Sequence, residues 1–202
     1  MVEIRNAKPN DKGDIAELIY SSGKELYDYI YETENNSAID YIRFEYESGD
    51  GFCGYKNVTL AVDGTRVLGT GCFYGGQHYN RLMIGSLKNM FRFFGPIKAW
   101  RVLRRSSRVG SVMKVPKKGE LYLSNFGVIP ESRGKGVGSK MISNKMIIAK
   151  DKNYRVFALD VADNNPKAEA LYSRLGLEVV EVKKFSDKRV SMPSVKKMEV
   201  AL

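Results

Sequence analysis

The strongest constraint on the fold of this chain is an apolar, strand-like run, Leu121 to Ile129, that leads through three residues into Arg133-Gly134-Lys135-Gly136-Val137-Gly138 and then into a helix-patterned stretch. Such a junction gathers free backbone N–H groups and the positive end of a helix dipole at one point, where glycine lets a ligand come close. It is a place to hold phosphate, and Arg133 and Lys135 add side-chain charge. Three glycines in five residues destabilise a loop that holds nothing, which favours a ligand.

Spacing narrows the kind of phosphate ligand. A P-loop needs G-x-x-x-x-G-K-[ST], but Ile129 stands five residues before Gly134 and Gly136 follows Lys135, so that reading fails. A dinucleotide-binding turn needs G-x-G-x-x-G. Gly134-x-Gly136-x-x-Ser139 keeps two of its glycines, and Asp160 ends a strand about twenty residues on, as that motif requires. Against it, Pro130-Glu131-Ser132-Arg133 is too long for the tight strand-to-helix turn. An oxidoreductase of that type is therefore a rival reading.

The stretch Asn165 to Gly176 defines one short helix: Asn165 as N-cap, Pro166 in the first turn, an apolar stripe at Ala168, Leu171, Tyr172 and Leu175, and Gly176 past the end. Together, Arg133-x-x-Gly136-x-Gly138 after one strand and Asn165-x-x-Ala168-x-x-x-Tyr172-x-x-x-Gly176 after the next resemble the two cofactor-binding motifs of the GCN5-related N-acetyltransferase (GNAT) superfamily. The start of the chain, Ile4 to Asp11 followed by Ile15 and Leu18, looks like that superfamily's first strand and helix. Val58 to Val62, Asp63-Gly64 and Arg66 to Gly69 read as a hairpin with a two-residue turn. Residues 1–75 and 119–202 fit the resemblance in order; 77–118 do not.

A chain of 202 residues, 43% of them hydrophobic, can bury one sizeable core, and no Pro/Ser/Gly-rich linker divides it. The expectation is a single α/β domain with an insertion at about 77–118 between the third and fourth strands. No apolar run reaches the roughly 20 residues of a membrane-spanning helix, and the N-terminus lacks a signal-peptide layout, which predicts a cytoplasmic protein. Cys53 and Cys72 are expected as free thiols, and one histidine with no Cys/His cluster gives no reason to expect a metal site.

Charge is uneven. Residues 77–118 hold eleven Lys/Arg and no acid, so this segment carries +11 and the rest of the chain −1. Within it Met83, Leu87, Met90, Phe91 and Phe94 fall on one helical stripe, Gly95-Pro96 breaks the pattern, and Ile97, Trp100 and Leu103 begin a second stripe. Two basic amphipathic helices follow. Their apolar faces could pack on the core or on a second copy in a homodimer, form a lid over an acidic acceptor, or meet an anionic membrane or nucleic acid.

Periodicity predicts strands at 2–7, 57–63, 66–74, 120–129, 155–160, 177–185 and 194–201. It predicts helices at 11–31, with a break near Ser21-Ser22-Gly23, and at 36–48, 137–150 and 166–175. The resemblance implies a mixed, largely antiparallel sheet with helices on both faces. It also implies transfer of an acetyl group from acetyl-CoA to an amine by direct attack in a ternary complex. Residues 133–139, including Ser139, would hold the pyrophosphate. The strand segment Phe126-Gly127-Val128 would offer an open backbone edge to the pantetheine arm, with the Phe126 N–H polarising the thioester carbonyl. Asn165 would contact the cofactor and Tyr172 would protonate the leaving thiolate. Where some family members carry a strand glutamate, this chain has Tyr122; Glu120, two residues earlier on the same strand face, is the candidate base. Residues 1–62 hold 12 acids and 6 bases, which would attract a cationic amine, whereas the insertion would attract an acidic acceptor. Without transfer, the same fold could serve as a CoA-binding module whose basic segment holds an anionic partner.

Overall fold

The computed structural model describes every residue except 12, 111, 113, 114 and 186–191. Lys114, counted in the basic segment, lies outside the described residues. Seven strands form one sheet in the order β1-β2-β3-β4-β5-β7-β6. They are β1 (Glu3–Asn6), β2 (Val58–Asp63), β3 (Arg66–Gly75), β4 (Glu120–Val128), β5 (Val156–Ala162), β6 (Glu178–Lys183) and β7 (Val195–Ala201). Only β4 and β5 run parallel; the other pairs are antiparallel, as expected.

The β2–β3 hairpin closes with Asp63 opposite Arg66, so its two turn residues are Gly64 and Thr65, one position later than Asp63-Gly64. Gly64 supplies the positive φ, +59°. Alternation along β2 sends Val58, Leu60 and Val62 into a cluster with Ile15 and Ile19 of α1 (Ile15–Ser21) and Ile42 of α3 (Ala38–Ser48). Ala61 points the other way, to Val137 and Met141 of α5 (Val137–Asp151). Helices thus cover both faces. The expected break separates α1 from α2 (Lys24–Tyr31) at Ser22-Gly23. Ser37 caps α3 by accepting from the Asp40 N–H, and α6 (Pro166–Arg174) begins at Asn165 as its spacing demands.

Between β3 and β4 the chain forms α4 (Tyr79–Gly110), interrupted by the non-helical Gly95 (φ +71°, ψ 168°) ahead of Pro96. The two helical halves match the sequence, but their rotation does not. The inward face is Leu82, Gly85, Ser86, Asn89, Met90 and Phe94, then Ala99, Val102 and Val109. Met83, Phe91, Ile97 and Trp100, members of the two apolar stripes, are exposed, the last two at 76% and 64%. Hydrogen bonds set this rotation. Ser86 Oγ accepts from the Phe52 N–H at 3.0 Å, and Asn89 Nδ2 donates to Ser48 Oγ and to the Asp50 carbonyl. Small and polar residues let α4 sit close to α3, and Met83, Phe91, Ile97 and Trp100 turn outward on the same helix as the cations. No helix among the described residues is long and apolar enough to cross a membrane.

Two irregularities open the middle of the sheet. β4 pairs with β5 only from Glu120–Leu123 against Val156–Leu159, after which the two strands part. On its other edge β4 pairs Ser124 with Cys72 and Gly127 with Thr70, leaving Asn125 and Phe126 without register partners. Asn125 takes φ +53°, a left-handed conformation rare outside glycine. The result is a bulged, half-unpaired strand at the mouth of a cleft.

Candidate functional site

The bulge is held from the helical layer. Tyr27 of α2 donates its hydroxyl to Asn125 Oδ1 at 2.5 Å, while Asn125 Nδ2 points at the sulfurs of Cys53 (3.5 Å) and Cys72 (3.7 Å). Both thiols are free and buried. Burial keeps the Tyr27 phenol well above its usual range, so it remains a donor. Asn125 was not expected at the site, because a bulge clamp joins residues 98 positions apart. At Gly127 the α1 backbone approaches so closely that a Cβ would lie 2.6 Å from the Leu18 carbonyl oxygen. This seats α1 directly on β4.

The glycine loop leads directly into α5. Gly134 (φ +74°) and Gly136 (φ +79°) alternate with Lys135, which turns successive N–H groups toward one side. Gly136 precedes α5 and has no side chain to cap it, so the first-turn N–H groups of the helix stay free for an anion. Arg133 is drawn back onto β4 by its Nε, which donates to the Val128 carbonyl at 2.9 Å. These donors and a cationic rim fit a pyrophosphate. Asn165 acts as N-cap, accepting from the Ala168 N–H at 3.2 Å.

A single cavity of about 1010 Å³ joins these parts. Its lining includes Phe126, Gly127 and Val128, loop residues Arg133, Gly134, Gly136, Val137, Gly138 and Ser139, and Asn165 and Tyr172. Of the residues expected at the site, Lys135 and Glu120 are not part of that lining. Glu120 sits at the start of β4, where it accepts from the Lys117 N–H at 3.0 Å and pairs with Lys197 of β7 at 3.1 Å. It belongs to a buried ion pair, engaged from the preceding loop and from β7.

The cavity instead contains Asp160, on β5. Its Oδ2 accepts from the Tyr122 hydroxyl at 2.8 Å, and Lys183 Nζ lies 3.5 Å from Oδ1. Burial and then the Asp160 charge push the Tyr122 phenol well above its usual range. The strand position where a glutamate could stand therefore holds a protonated tyrosine, and the carboxylate is supplied one strand over. Tyr172 is pushed up to about 12 by burial alone, so it is protonated at neutral pH.

One more carboxylate lines the cavity. Glu45 of α3 is 2% exposed, and Ser86 donates its hydroxyl to it. Burial pushes the Glu45 carboxyl up to about 7, against the hydrogen bond from Ser86. Because the folded state holds this proton more tightly than the unfolded chain, ionised Glu45 costs stability as pH rises from about 4.5, the full cost being present above about 7. A shift of that size corresponds to about 3 kcal/mol. Glu45→Gln should accordingly unfold at higher denaturant than the parent at pH 8, with the difference shrinking toward pH 5; a pH-independent difference would remove Glu45 as its source.

The geometry agrees with what comparison with known proteins finds. The fold matches the crystal structure of an acetyltransferase with a TM-score of 0.69 over 98% of both chains at 20% identity. An N-acetyltransferase from Staphylococcus aureus Mu50 matches with 0.68 over 98% of this chain and 100% of that one at 19% identity. YncA from Salmonella typhimurium, solved with its cofactor acetyl-CoA, matches with 0.58 over 100% and 94% at 15% identity. At these identities the likeness is one of fold. Thialysine N-epsilon-acetyltransferase from Sus scrofa is 46% identical over 56 residues, 28% of this chain and 33% of the relative. The enzyme of that name from Mus musculus is 40% identical over 58 residues, 29% and 34%. The matched stretch thus spans about a third of the length of these curated relatives. The family model for the acetyltransferase (GNAT) family matches residues 17–177, from α1 through the glycine loop and α6, which is most of the chain and takes in every motif of the cleft. The chain belongs to the acetyltransferase (GNAT) family.

Proposed function

We propose that this chain transfers an acetyl group from acetyl-CoA to a primary amine of an acceptor, by direct attack in a ternary complex. The observation that carries this reading is the half-unpaired β4 edge at Phe126, opening into the one cavity that also contains the glycine loop, Tyr172 and the Tyr122–Asp160 pair. The loop and the α5 N-terminus would hold the pyrophosphate, and the free edge of β4 would pair with the peptide-like arm. Acetyl-CoA supplies the activated acyl group. A backbone donor at Phe126 aimed at the thioester oxygen is worth about 3 kcal/mol of barrier.

Proton traffic follows from the two tyrosines. An amine arrives as an ammonium and must lose a proton before attack; Tyr122 Oη can accept one while passing its own to Asp160, 2.8 Å away. Tyr172, at about 12, cannot be fully deprotonated by a thiolate whose ordinary pKa is about 8.5. Its contribution is a hydrogen bond that strengthens as negative charge grows on sulfur, and the net proton comes from the amine. Tyr172→Phe should lower turnover roughly 10- to 100-fold, the worth of one hydrogen bond to a charged group, with acetyl-CoA affinity nearly unchanged. Unaltered turnover would take Tyr172 out of the chemistry.

We also propose that 77–118 is an insertion into one domain. β3 and β4 pair Gly75 with Leu121, so the segment leaves and re-enters the sheet at the same point.

Thermal melting tests the whole reading. Acetyl-CoA or CoA at 100 times its dissociation constant adds about 2.7 kcal/mol and should raise the melting temperature by several degrees. No rise, or a rise with NAD(H) alone, would overturn it.

A further inference from the structure

The buried carboxylates Glu120 and Asp160 each face a lysine, Lys197 at 3.1 Å and Lys183 at 3.5 Å. Glu45 is buried more deeply than Glu120 and, among the described residues, is held by neutral donors such as Ser86 and Asn89 rather than by a basic side chain. It also differs in where it sits, since Glu45 lines the cavity and Glu120 does not. A carboxylate removed from water without a counter-charge is costly, so a cation in the cavity would supply what the fold withholds.

The lining is polarised in the same sense. The loop ahead of α5 and helix α6 contribute Arg133, Lys167 and Arg174; α2, α3 and the 49–57 loop contribute aromatic rings and Glu45. Between Glu45 and the Tyr122–Asp160 pair runs a wall of rings. The Phe52 N–H donates to the Ser86 hydroxyl that holds Glu45, the Phe52 ring lies 5.4 Å from Tyr74, and Tyr74 lies 5.6 Å from Tyr122. Apolar walls with a carboxylate at each end suit a molecule with a cation at each end and methylenes between, and aromatic faces add attraction for ammonium groups.

We propose that Glu45 is the seat for a second, non-reacting ammonium group, so that the acceptor is an extended primary amine carrying a distal cation. This rests on the acetyltransferase reading above, and its test reads binding apart from transfer. Calorimetric titration of the CoA-loaded protein with diaminopentane and with pentylamine compares two probes that differ only in the distal charge. The diamine should bind roughly tenfold or more tightly than the monoamine. Glu45→Gln should bring that ratio close to one, whereas Glu45→Asp, which keeps the charge, should retain part of it. A purely structural role for Glu45 would move the melting temperature and leave the ratio alone. Equal affinities in the parent protein, no detectable binding of the diamine, or a preference that survives Glu45→Gln would each overturn the proposal. Release of free thiol from acetyl-CoA with the same two amines is read separately: selective binding without thiol release would keep the cation seat and sink the transfer reaction, and thiol release with equal affinities would do the reverse.

Discussion

Replacing Gly136 by glutamate should abolish acetyl-CoA binding while the protein remains folded. Gly136 stands at φ +79° immediately before α5, and a Cβ there would meet no atom within 4 Å. Steric cost in the protein is therefore limited to backbone strain, about 1–2 kcal/mol for a side chain in the left-handed region. The effect on binding is larger. At an effective dielectric of about 20, a carboxylate some 4 Å from one phosphate charge is opposed by about 4 kcal/mol, or roughly three orders of magnitude in affinity. Gly136→Ala separates the two contributions, since it carries the strain without the charge and should weaken binding far less. Titration calorimetry with acetyl-CoA and a melting curve of each variant decide the matter. Near-parental affinity in Gly136→Glu would show that the α5 N-terminus does not hold the pyrophosphate.

What could be read in the sequence was what local chemistry dictates. Asn165, Pro166 and Gly176 bound α6 by capping rules, Gly95-Pro96 splits α4, and the 133–139 loop adopts the left-handed turns its glycines allow. The parts that escaped depend on which strands become neighbours. Glu120 shares a strand face with Tyr122, but Lys197 arrives from β7, two strands away in the sheet, and neutralises it. Asp160 could be seen only as the end of a strand, the acidic residue that a dinucleotide site would use. It becomes a partner of Tyr122 because β5 lies parallel beside β4, which no residue near Asp160 announces. The rotation of α4 escaped for a related reason. An apolar stripe is the usual guide to a buried helix face, but here Ser86 and Asn89 outcompete Met83 and Phe91 by satisfying the polar groups of α3 and the loop after it.

Asp160→Asn should reduce turnover by at least about a hundredfold with little change in acetyl-CoA affinity, the range in which a positioned base contributes. The amide can still accept a hydrogen bond from the Tyr122 hydroxyl, but it cannot take up a proton, so the route out of the amine is closed while the geometry persists. Tyr122→Phe removes the relay and leaves the carboxylate, and should cost less. The substitution also has a structural consequence that must be separated from the chemical one. The Lys183 side chain is 7% exposed and its ammonium lies 3.5 Å from Asp160, so losing the carboxylate strands a buried charge at a cost of about 3–5 kcal/mol. Asp160→Asn combined with Lys183→Met replaces the ion pair by an amide and an apolar side chain of similar length, which should restore most of the stability and none of the turnover. Recovery of activity in the double variant would mean that Asp160 serves only to neutralise Lys183, and the base would have to be sought elsewhere along the cavity.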